Sequence, residues 1–310
     1  MPSPHIYALG ETILDIIFRD EQPMAARPGG SSFNTSVSLG RLKTPVTMIS
    51  EMGKDRVGDI ILGFMRDNGV NTDYISRYET GHSAIALAFL NRDSDAEYQF
   101  YKDYPFQRLD MDIPEFCRDD LLMYGSYYSL NPGIRSRVIK ILECAREREV
   151  CMVYDPNFRD SHSDERNQLL EFIRENMLLS DLVRASDEDM YNIYGARDAE
   201  EAWKAVQRYC DLFIYTANAR NVVLKTPELS LDLAVDQIEP VSTIGAGDTF
   251  NAGILYGIYI NRYGRKDLKK LGPAEWEILL RRAIEFSKQV CLSYDNYLPV
   301  EIAETIIKTS

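Results

Sequence analysis

The sequence predicts an α/β protein with a mostly parallel central sheet, helices on both faces of that sheet and a small additional β layer. From residue 121 onward, short apolar runs with strand character alternate with longer runs of helical periodicity. This alternation predicts right-handed crossovers between parallel strands. Earlier in the chain, residues 84–90 and 98–101 flank the turn-forming residues 91–95, which is the pattern of a β-hairpin.

The elements can be assigned in chain order. The apolar run 5–9, closed by Gly10, predicts a buried strand, and Asp15 follows where the end of that strand would present it. Residues 20–30 contain two prolines and two glycines and predict a loop. The remaining predicted strands are 46–49, 121–124, 151–154, 182–185, 212–216 and 221–225. Six further helices are predicted at 31–42, 134–148, 164–178, 198–209, 275–291 and 300–308. Two more helices begin after glycine-containing turns: one follows the turn 53–58 and ends near residue 68, and the other follows 242–247 and ends near residue 263.

Nothing in the sequence divides the chain into separate units. Residues 1–310 are therefore expected to form one domain, and the segments at roughly 15–28 and 84–101 are expected to build the small β layer over it. A chain of this length can bury about three quarters of its unfolded surface, so a disulfide or metal staple is not required.

Composition excludes several classes of function. A net charge of −13 argues against a general nucleic-acid binder, which needs a basic face. The five cysteines form no CxxC pair and the three histidines are far apart, so spacing predicts no metal cluster and a reducing compartment is the simplest reading. No apolar run approaches 18 residues and the N-terminus lacks the features of a leader, so we expect a cytoplasmic protein without membrane contact.

The stretch 242–250 carries the most chemical information. Gly245 and Gly247 bracket Ala246, Asp248 follows at once, and an apolar helical run comes next. Small residues let backbone N–H groups converge at a helix N-terminus, which suits an anion. A carboxylate beside an anion site can take a proton from an attacking hydroxyl. On spacing alone, an ordinary helix start is equally compatible with the stretch, and it is neither a Walker A loop nor a dinucleotide fingerprint.

Other polar segments follow predicted strands or begin predicted helices. The double glycine at 29–30 is followed by Asn34. This pattern is weak evidence for a ligand site on its own, because a double glycine is usually a turn. The segment 155–159 reads as a turn after a strand, and 186–189 reads first as a helix N-cap followed by acidic residues. Ligands of parallel sheets bind at the carboxyl ends of the strands. Asp15, Asp155, Ser186 and Asp248 are therefore expected on one rim.

Together and in this order, these segments resemble the ribokinase/PfkB family of sugar kinases over essentially the whole chain. Residues 29–34 are similar to the N-terminal signature of the family, 53–58 to its Gly-x-Asp-x-x-Gly segment and 245–248 to its C-terminal signature. Within the family, residues 10–15, 155–157 and 186–189 are most similar to fructokinases. The resemblance implies a ribokinase-like three-layer fold in which the small β layer is a lid that excludes water.

The resemblance also implies a site and its ligands, ATP, Mg²⁺ and a sugar. Asp248 would be the catalytic base for a primary hydroxyl of the sugar, and the amides of Gly245, Ala246 and Gly247 would form the anion hole. Mg²⁺ would be held by Asp189, indirectly. The sugar would contact Asp15, Gly29, Gly30, Asn34, Lys102, Asn157 and Arg159, and ATP would contact Ser186, Thr216, Asn218 and Gly247.

Four departures from the family pattern affect these implications. Ser242 stands where the family usually has Asp or Asn, and Ile244 stands where it has Thr or a similar polar residue. Residues 293–297 lack the small-residue loop that completes a monovalent-cation site, so little potassium activation is expected. Asp189 is one methylene shorter than the usual glutamate, with Ser186 in place of asparagine. Asn218 stands at a usual glycine, and Lys102 replaces an arginine that could grip an anion with two nitrogens.

The leading hypothesis is therefore an ATP-dependent, fructokinase-like hexose kinase. Two alternatives remain open: a kinase for another substrate, such as a keto-deoxy sugar acid, ribose or a nucleoside, and a sugar- or nucleotide-sensing homologue with weak turnover. In this family the lid often forms a dimer interface. The apolar run 84–90 is compatible with such a homodimer, although burial against the core explains the same pattern.

Overall fold

The computed structural model describes residues 4–90, 96–159, 164–217 and 220–309. It contains two sheets and a set of helices that cover the larger sheet. The strands are β1 (Ile6–Leu9), β2 (Ile13–Arg19), β3 (Gln22–Gly29), β4 (Val46–Gly53), β5 (Val70–Tyr78), β6 (His82–Leu90), β7 (Ala96–Asp103), β8 (Leu121–Gly125), β9 (Cys151–Asp155), β10 (Leu182–Ser186), β11 (Phe213–Thr216), β12 (Asn221–Lys225) and β13 (Ser230–Ala234). The helices are α1 (Ser31–Arg41), α2 (Arg56–Asp67), α3 (Ser126–Leu130), α4 (Arg135–Glu147), α5 (Arg166–Leu179), α6 (Asp187–Tyr194), α7 (Ala199–Val206), α8 (Ala246–Ile260), α9 (Arg265–Leu268), α10 (Pro273–Cys291) and α11 (Val300–Thr309).

The larger sheet has nine strands in the order β13-β12-β11-β10-β9-β8-β1-β4-β5. The seven neighbouring strands β11-β10-β9-β8-β1-β4-β5 pair in parallel, while β12 and β13 are antiparallel additions at one edge. Alternate residues of each strand point to opposite faces. In β1, Ile6 and Ala8 join one buried cluster, whereas Tyr7 and Leu9 join the other. The predicted α/β architecture, with helices on both faces of a mostly parallel sheet, is confirmed.

The smaller sheet has four strands in the order β3-β2-β6-β7. β6 and β7 pair antiparallel, as the hairpin pattern predicts, whereas the predicted turn 91–95 lies outside the described residues. The expected loop at 20–30 is wrong, because Gln22–Gly29 forms β3. Pro23 and Pro28 are tolerated there since β3 is an edge strand, where a missing N–H leaves no neighbour unpaired. Asp15 correspondingly lies within β2 and not after the end of β1.

The helix α8 is the structural centre of one face. From Thr249 to Ile258 every residue is buried, so this part of the helix is enclosed on all sides, and its first turn reaches the rim of the sheet. It packs closely on α10, since a Cβ atom on Gly253 would lie 2.6 Å from the Cα atom of Ala283. α1 lies along its other side. This packing brings the first turns of α1 and α8 together.

Candidate active site

The loop that precedes α8 has the geometry of an anion site. Gly245 caps the helix in the left-handed conformation, with φ of 78°, and a side chain there would overlap the carbonyl oxygen of Asn296. The Ala246 amide donates to the Thr243 carbonyl at 3.3 Å. In the described part of the chain, the amides of Gly247 and Asp248 have no acceptor. The first turn of α8 therefore offers unpaired N–H donors at the positive end of a long helix dipole.

Asp248 is held in place by α1. Asn34 donates its side-chain amide to Asp248 Oδ2 at 2.8 Å, and the Thr35 hydroxyl donates to the Asp248 carbonyl oxygen at 2.9 Å. Burial raises the pKa of Asp248 to about 6, a hydrogen bond from Asn34 opposes that shift, and the nearby charge of Asp155 adds to it. The carboxyl group is thus ionised at neutral pH and can still accept a proton.

Among the described residues, Asn34 has a buried acceptor atom without a partner beside Asp248. Asn34 is only 5% exposed, and its Oδ1 atom has no hydrogen-bond partner within the described residues. Buried polar atoms are nearly always satisfied, so an orphaned acceptor calls for a donor from outside the chain. A hydroxyl group bound beside Asp248 would supply that donor.

A second carboxylate faces the site from the smaller sheet. Asp15 Oδ2 would lie 2.7 Å from a Cβ atom on Gly29, so the side chain covers the backbone of the double glycine. Gly30 has φ of 120°, and a side chain there would overlap the carbonyl oxygen of Glu11. Burial raises the pKa of Asp15 to about 7, and the charge of Glu11 adds to the shift.

Lys102 reaches the same region from β7. Its ammonium lies 2.7 Å from Glu11 Oε1, and the Tyr104 hydroxyl donates to that oxygen at 2.5 Å. Lys102 is therefore already paired with a carboxylate. Glu11 connects the smaller sheet to the double glycine, although sequence reasoning assigned it no role.

The end of β9 supplies a buried carboxylate beneath the rim. Asp155 is 1% exposed and accepts from the Asn157 amide at 3.0 Å, so the segment 155–157 forms the expected turn. Asn251 of α8 donates to Asp155 Oδ2 at 2.5 Å. Arg159 is exposed and lies 3.4 Å from Glu188, and its charge lowers the pKa of Asp248.

The end of β10 and the start of α6 form a capping box. Ser186 accepts from the Asp189 amide, and the Asp189 carboxylate accepts from the Ser186 amide and hydroxyl at 2.7 and 2.6 Å. The Phe158 amide donates to its other oxygen at 2.6 Å. Asp189 thus joins α6 to the 155–159 turn. Burial and the charge of Asp155 raise its pKa.

Arg184 links these elements and was missed by sequence reasoning. Its guanidinium donates to Asp155 Oδ2 at 2.9 Å and to the Thr216 hydroxyl at 2.7 Å. An arginine two residues before Ser186, in a strand whose apolar neighbours predict burial, was the available signal. The predicted nucleotide contact Asn218 lies outside the described residues.

The departures near the predicted cation site are visible in the structure. Ile244 is 43% exposed and its amide donates to the Ser242 hydroxyl at 3.2 Å.

Within the described residues, no group of three or more His, Cys, Asp and Glu side chains could hold a metal ion. All five cysteines are free thiols. In the same described portion, no helix is both long and apolar enough to cross a bilayer.

Comparison with known proteins agrees with this geometry. The sequence profile of the pfkB family of carbohydrate kinases matches residues 3–301, and the chain therefore belongs to that family. A fructokinase of Rhizobium leguminosarum bv. trifolii is 29% identical over 260 residues, which cover 81% of this chain and 78% of the relative. The predicted family membership and carbohydrate-kinase class are confirmed.

Solved structures share the fold at low sequence identity. Aminoimidazole riboside kinase from Salmonella enterica superimposes with a TM-score of 0.83 at 20% identity, and the match covers 99% of this chain and 100% of that one. A fructokinase with bound ATP from Xylella fastidiosa gives a TM-score of 0.82 at 21% identity, with 98% of each chain covered. These likenesses establish the ribokinase-like fold.

Proposed function

We propose that this kinase transfers the γ-phosphoryl group of ATP to a primary hydroxyl of a fructose-like hexose. The observation that carries the proposal is the Asn34–Asp248 pair at the start of α8. It combines a carboxylate whose pKa is about 6, an orphaned amide oxygen and unpaired backbone N–H groups. A base, a hydroxyl acceptor and an anion hole are the groups that phosphoryl transfer to an alcohol requires.

The chemical step follows from these groups. The hydroxyl oxygen of the sugar attacks the γ-phosphorus, and its proton passes to the Asp248 carboxylate. The bond between the γ-phosphorus and the bridging oxygen breaks, and its electron pair leaves with ADP. The amides of Gly245 and Gly247 face the charge that develops on the transferring group, while Ala246 keeps the loop narrow. Preorganised donors of this kind are usually a large contribution to catalysis.

The nucleotide is proposed to lie over the ends of β10 and β11. Ser186, Thr216 and Asn218 remain the proposed contacts, with Gly247 at the phosphates. Mg²⁺ is proposed to arrive as part of the nucleotide substrate, held by phosphate oxygens and water, as is usual for this ion. The two buried carboxylates near this region favour this arrangement, because both are already occupied by hydrogen bonds. Asp189 accepts three hydrogen bonds, and Asp155 accepts three others. Asp189 would then act on the metal only indirectly.

The charges on the sugar side favour a neutral sugar over a sugar acid. Lys102 is paired with Glu11, and Arg159 lies near Glu188. A substrate carboxylate would have to displace one of these acidic partners. Neutral hydroxyls can instead bind to Asp15, to Asn34 and to the backbone of Gly29 and Gly30, and Asn157 remains a proposed contact.

We further propose that residues 1–310 act as one cytoplasmic catalytic domain whose smaller sheet is a lid and a homodimer interface. Met24, Phe100 and Tyr101 of that sheet are 64%, 56% and 57% exposed, which supports an apolar contact. Sedimentation of the wild type and of Tyr101→Glu tests the interface. A wild-type monomer at micromolar concentration would refute it.

A panel of sugars tests the proposed activity. ADP release is measured with fructose, glucose, ribose, a keto-deoxy sugar acid and a nucleoside, and the product is located by ³¹P NMR. Asp248→Asn is the background control. Turnover of fructose to a phosphate ester at a primary hydroxyl is expected. Preference for ribose or the acid would reject the hexose, and binding of sugar without any turnover would favour the sensing homologue.

Potassium provides a separate test of the altered loop. Because Ser242 replaces the usual Asp or Asn and Ile244 replaces a usual polar residue, exchange of potassium for tetramethylammonium at constant ionic strength is expected to leave the rate nearly unchanged. A loss of several-fold on exchange would contradict the expectation.

A further inference from the structure

Arg184 lies at the junction of three elements of the site. Its two terminal nitrogens donate separately, Nη1 to Asp155 at the end of β9 and Nη2 to Thr216 at the end of β11. The residue is only 8% exposed, and its Cζ atom lies 5.5 Å from the centre of the Phe250 ring. The guanidinium is therefore fixed by hydrogen bonds on two sides and by an aromatic face on a third.

The same guanidinium lies directly against the anion loop. A Cβ atom on Gly247 would lie 2.9 Å from Nη1, 3.2 Å from Nη2 and 3.4 Å from Cζ. The two terminal nitrogens lie closer than Cζ, so the Nη1–Nη2 edge of the guanidinium points at this glycine. Gly247 has an ordinary φ angle, so the need for glycine at this position comes from Arg184 and not from backbone strain.

Two kinds of role would explain a charge in this place. In the first, Arg184 only neutralises Asp155, whose carboxylate is buried and must be paired. In the second, its charge also acts through the thin backbone of Gly247 on the phosphoryl group. Asp155 has a further donor in Asn251 and accepts from the Asn157 amide, so its carboxylate does not depend on Arg184 alone. The Nε atom of Arg184 has no partner among the described residues, so Asp155 and Thr216 do not exhaust its donors.

We propose that Arg184 is a positioning residue for phosphoryl transfer, whose buried charge supports the anion hole from behind Gly247. The charge is desolvated and close to a loop in which Gly245 and Gly247 have no side chain and Ala246 has only a methyl group, so its field acts strongly on that loop. The positive charge of Arg184 stabilises the negative charge on the transferring group. The hydrogen bonds of Arg184 to Asp155 and Thr216 hold the guanidinium against Gly247 and so keep that glycine in position. This inference rests on the proposed function and assigns a role to a residue that does not itself contact the reacting atoms.

A double-mutant cycle separates the two roles. Arg184→Met, Asp155→Asn and the double variant are compared with the wild type in kcat and in KM for ATP, on the sugar that the wild type prefers. If Arg184 supports the anion hole, the double variant is expected to turn over about 10- to 100-fold more slowly than Asp155→Asn. If the double variant matches Asp155→Asn, Arg184 serves only to neutralise Asp155 and the inference is wrong.

Charge and shape are distinguished by the conservative variant. Arg184→Lys keeps the positive charge and loses one of the two directed hydrogen bonds. It is expected to recover most of the kcat that Arg184→Met loses, and no recovery would contradict an electrostatic role.

In Arg184→Met alone, the unpaired Asp155 charge should raise the pKa of Asp248, and the acid limb of kcat should move to higher pH. In the double variant this displacement should disappear.

Two controls keep the inference separate from folding and from the proposed function. Sugar affinity by calorimetry should be equal in Asp155→Asn and in the double variant, because Arg184 donates to Asp155 and Thr216 and not to a proposed sugar contact. If the wild type turns over none of the sugars, the proposed function fails. In that case, ADP and ATP affinities measured for Asp155→Asn and the double variant still test Arg184, and equal ATP affinities would reject its role.

Discussion

The two carboxylates proposed to face the sugar lie in contrasting parts of the molecule. Asp248 stands on the first turn of α8, in which every residue from Thr249 to Ile258 is buried, and two residues of α1 hold it. Asp15 lies within β2 of the smaller sheet, next to the edge strand β3, and burial and the charge of Glu11 raise its pKa. The main body thus holds the groups that are proposed to act on the phosphoryl group, together with Asn34, and the smaller sheet holds Asp15 and Lys102, which are proposed to bind sugar. Substitutions in the first region should lower kcat, and those in the second should raise KM for sugar.

The largest effect is expected for Asp248→Asn. Loss of the base should reduce kcat by roughly 10³-fold, within the usual range for removing a general base. The matched control is Asp236→Asn, which removes a surface carboxylate that pairs with Lys288. The control should keep the wild-type kcat. Initial rates of ADP release check both variants, and a kcat of Asp248→Asn within a few-fold of wild type would remove the base assignment.

Gly245→Ala should be the next most damaging change. The new methyl group meets the Asn296 carbonyl and the backbone must keep a positive φ, so the loop should shift and kcat should fall by about 10²-fold, as when one anion-hole donor is lost. Gly195→Ala is the matched control, because Gly195 has φ of 71° and nothing within 4 Å of its Cβ position. The control isolates backbone strain, which should lower the melting temperature without affecting kcat. Equal kcat in both variants would contradict the assignment.

The two regions should also titrate separately. Since Asp248 must be ionised to accept a proton, kcat should fall as pH drops through about 6. Asp15 should lose its charge as pH drops through about 7, so KM for sugar should begin to rise at higher pH than kcat falls. Glu11→Gln removes a neighbouring negative charge, which should lower the pKa of Asp15 and move only the KM limb to lower pH. A parallel movement of both limbs would show that the regions are not independent.

Sequence patterns were sufficient for the main body because its elements obey simple periodicities. The alternation after residue 121 predicted β8 to β11 with their helices, and the glycine loop with its following apolar run predicted α8. The smaller sheet was harder. Pro23 and Pro28 indicate a loop by local chemistry, and only the edge position of β3 makes them acceptable in a strand.

The site shows the same limit. Asp248 and Asn34 belong to contiguous motifs, and their contact follows once α1 and α8 pack together. Arg184 belongs to no motif, and Glu11 lies in the segment 10–15 without an assigned role, because the importance of both depends on which strands and loops lie beside them. Arg184 meets Asp155, Thr216 and Gly247 only after two crossovers, from β9 to β10 and from β10 to β11, and the antiparallel strands β12 and β13 have brought those segments together. No spacing in the sequence encodes that meeting.

The central claim is the division between a catalytic main body and a sugar-binding smaller sheet, and paired calorimetry and kinetics of Asp248→Asn and Asp15→Asn test it most directly. Asp248→Asn should bind the preferred sugar with a Kd within a few-fold of wild type while it loses turnover. Asp15→Asn should weaken sugar binding by about 10- to 100-fold, the usual effect of losing one charged hydrogen bond, while kcat at saturating sugar changes far less. The reverse pattern, with binding lost in Asp248→Asn and kcat lost in Asp15→Asn, would contradict the division.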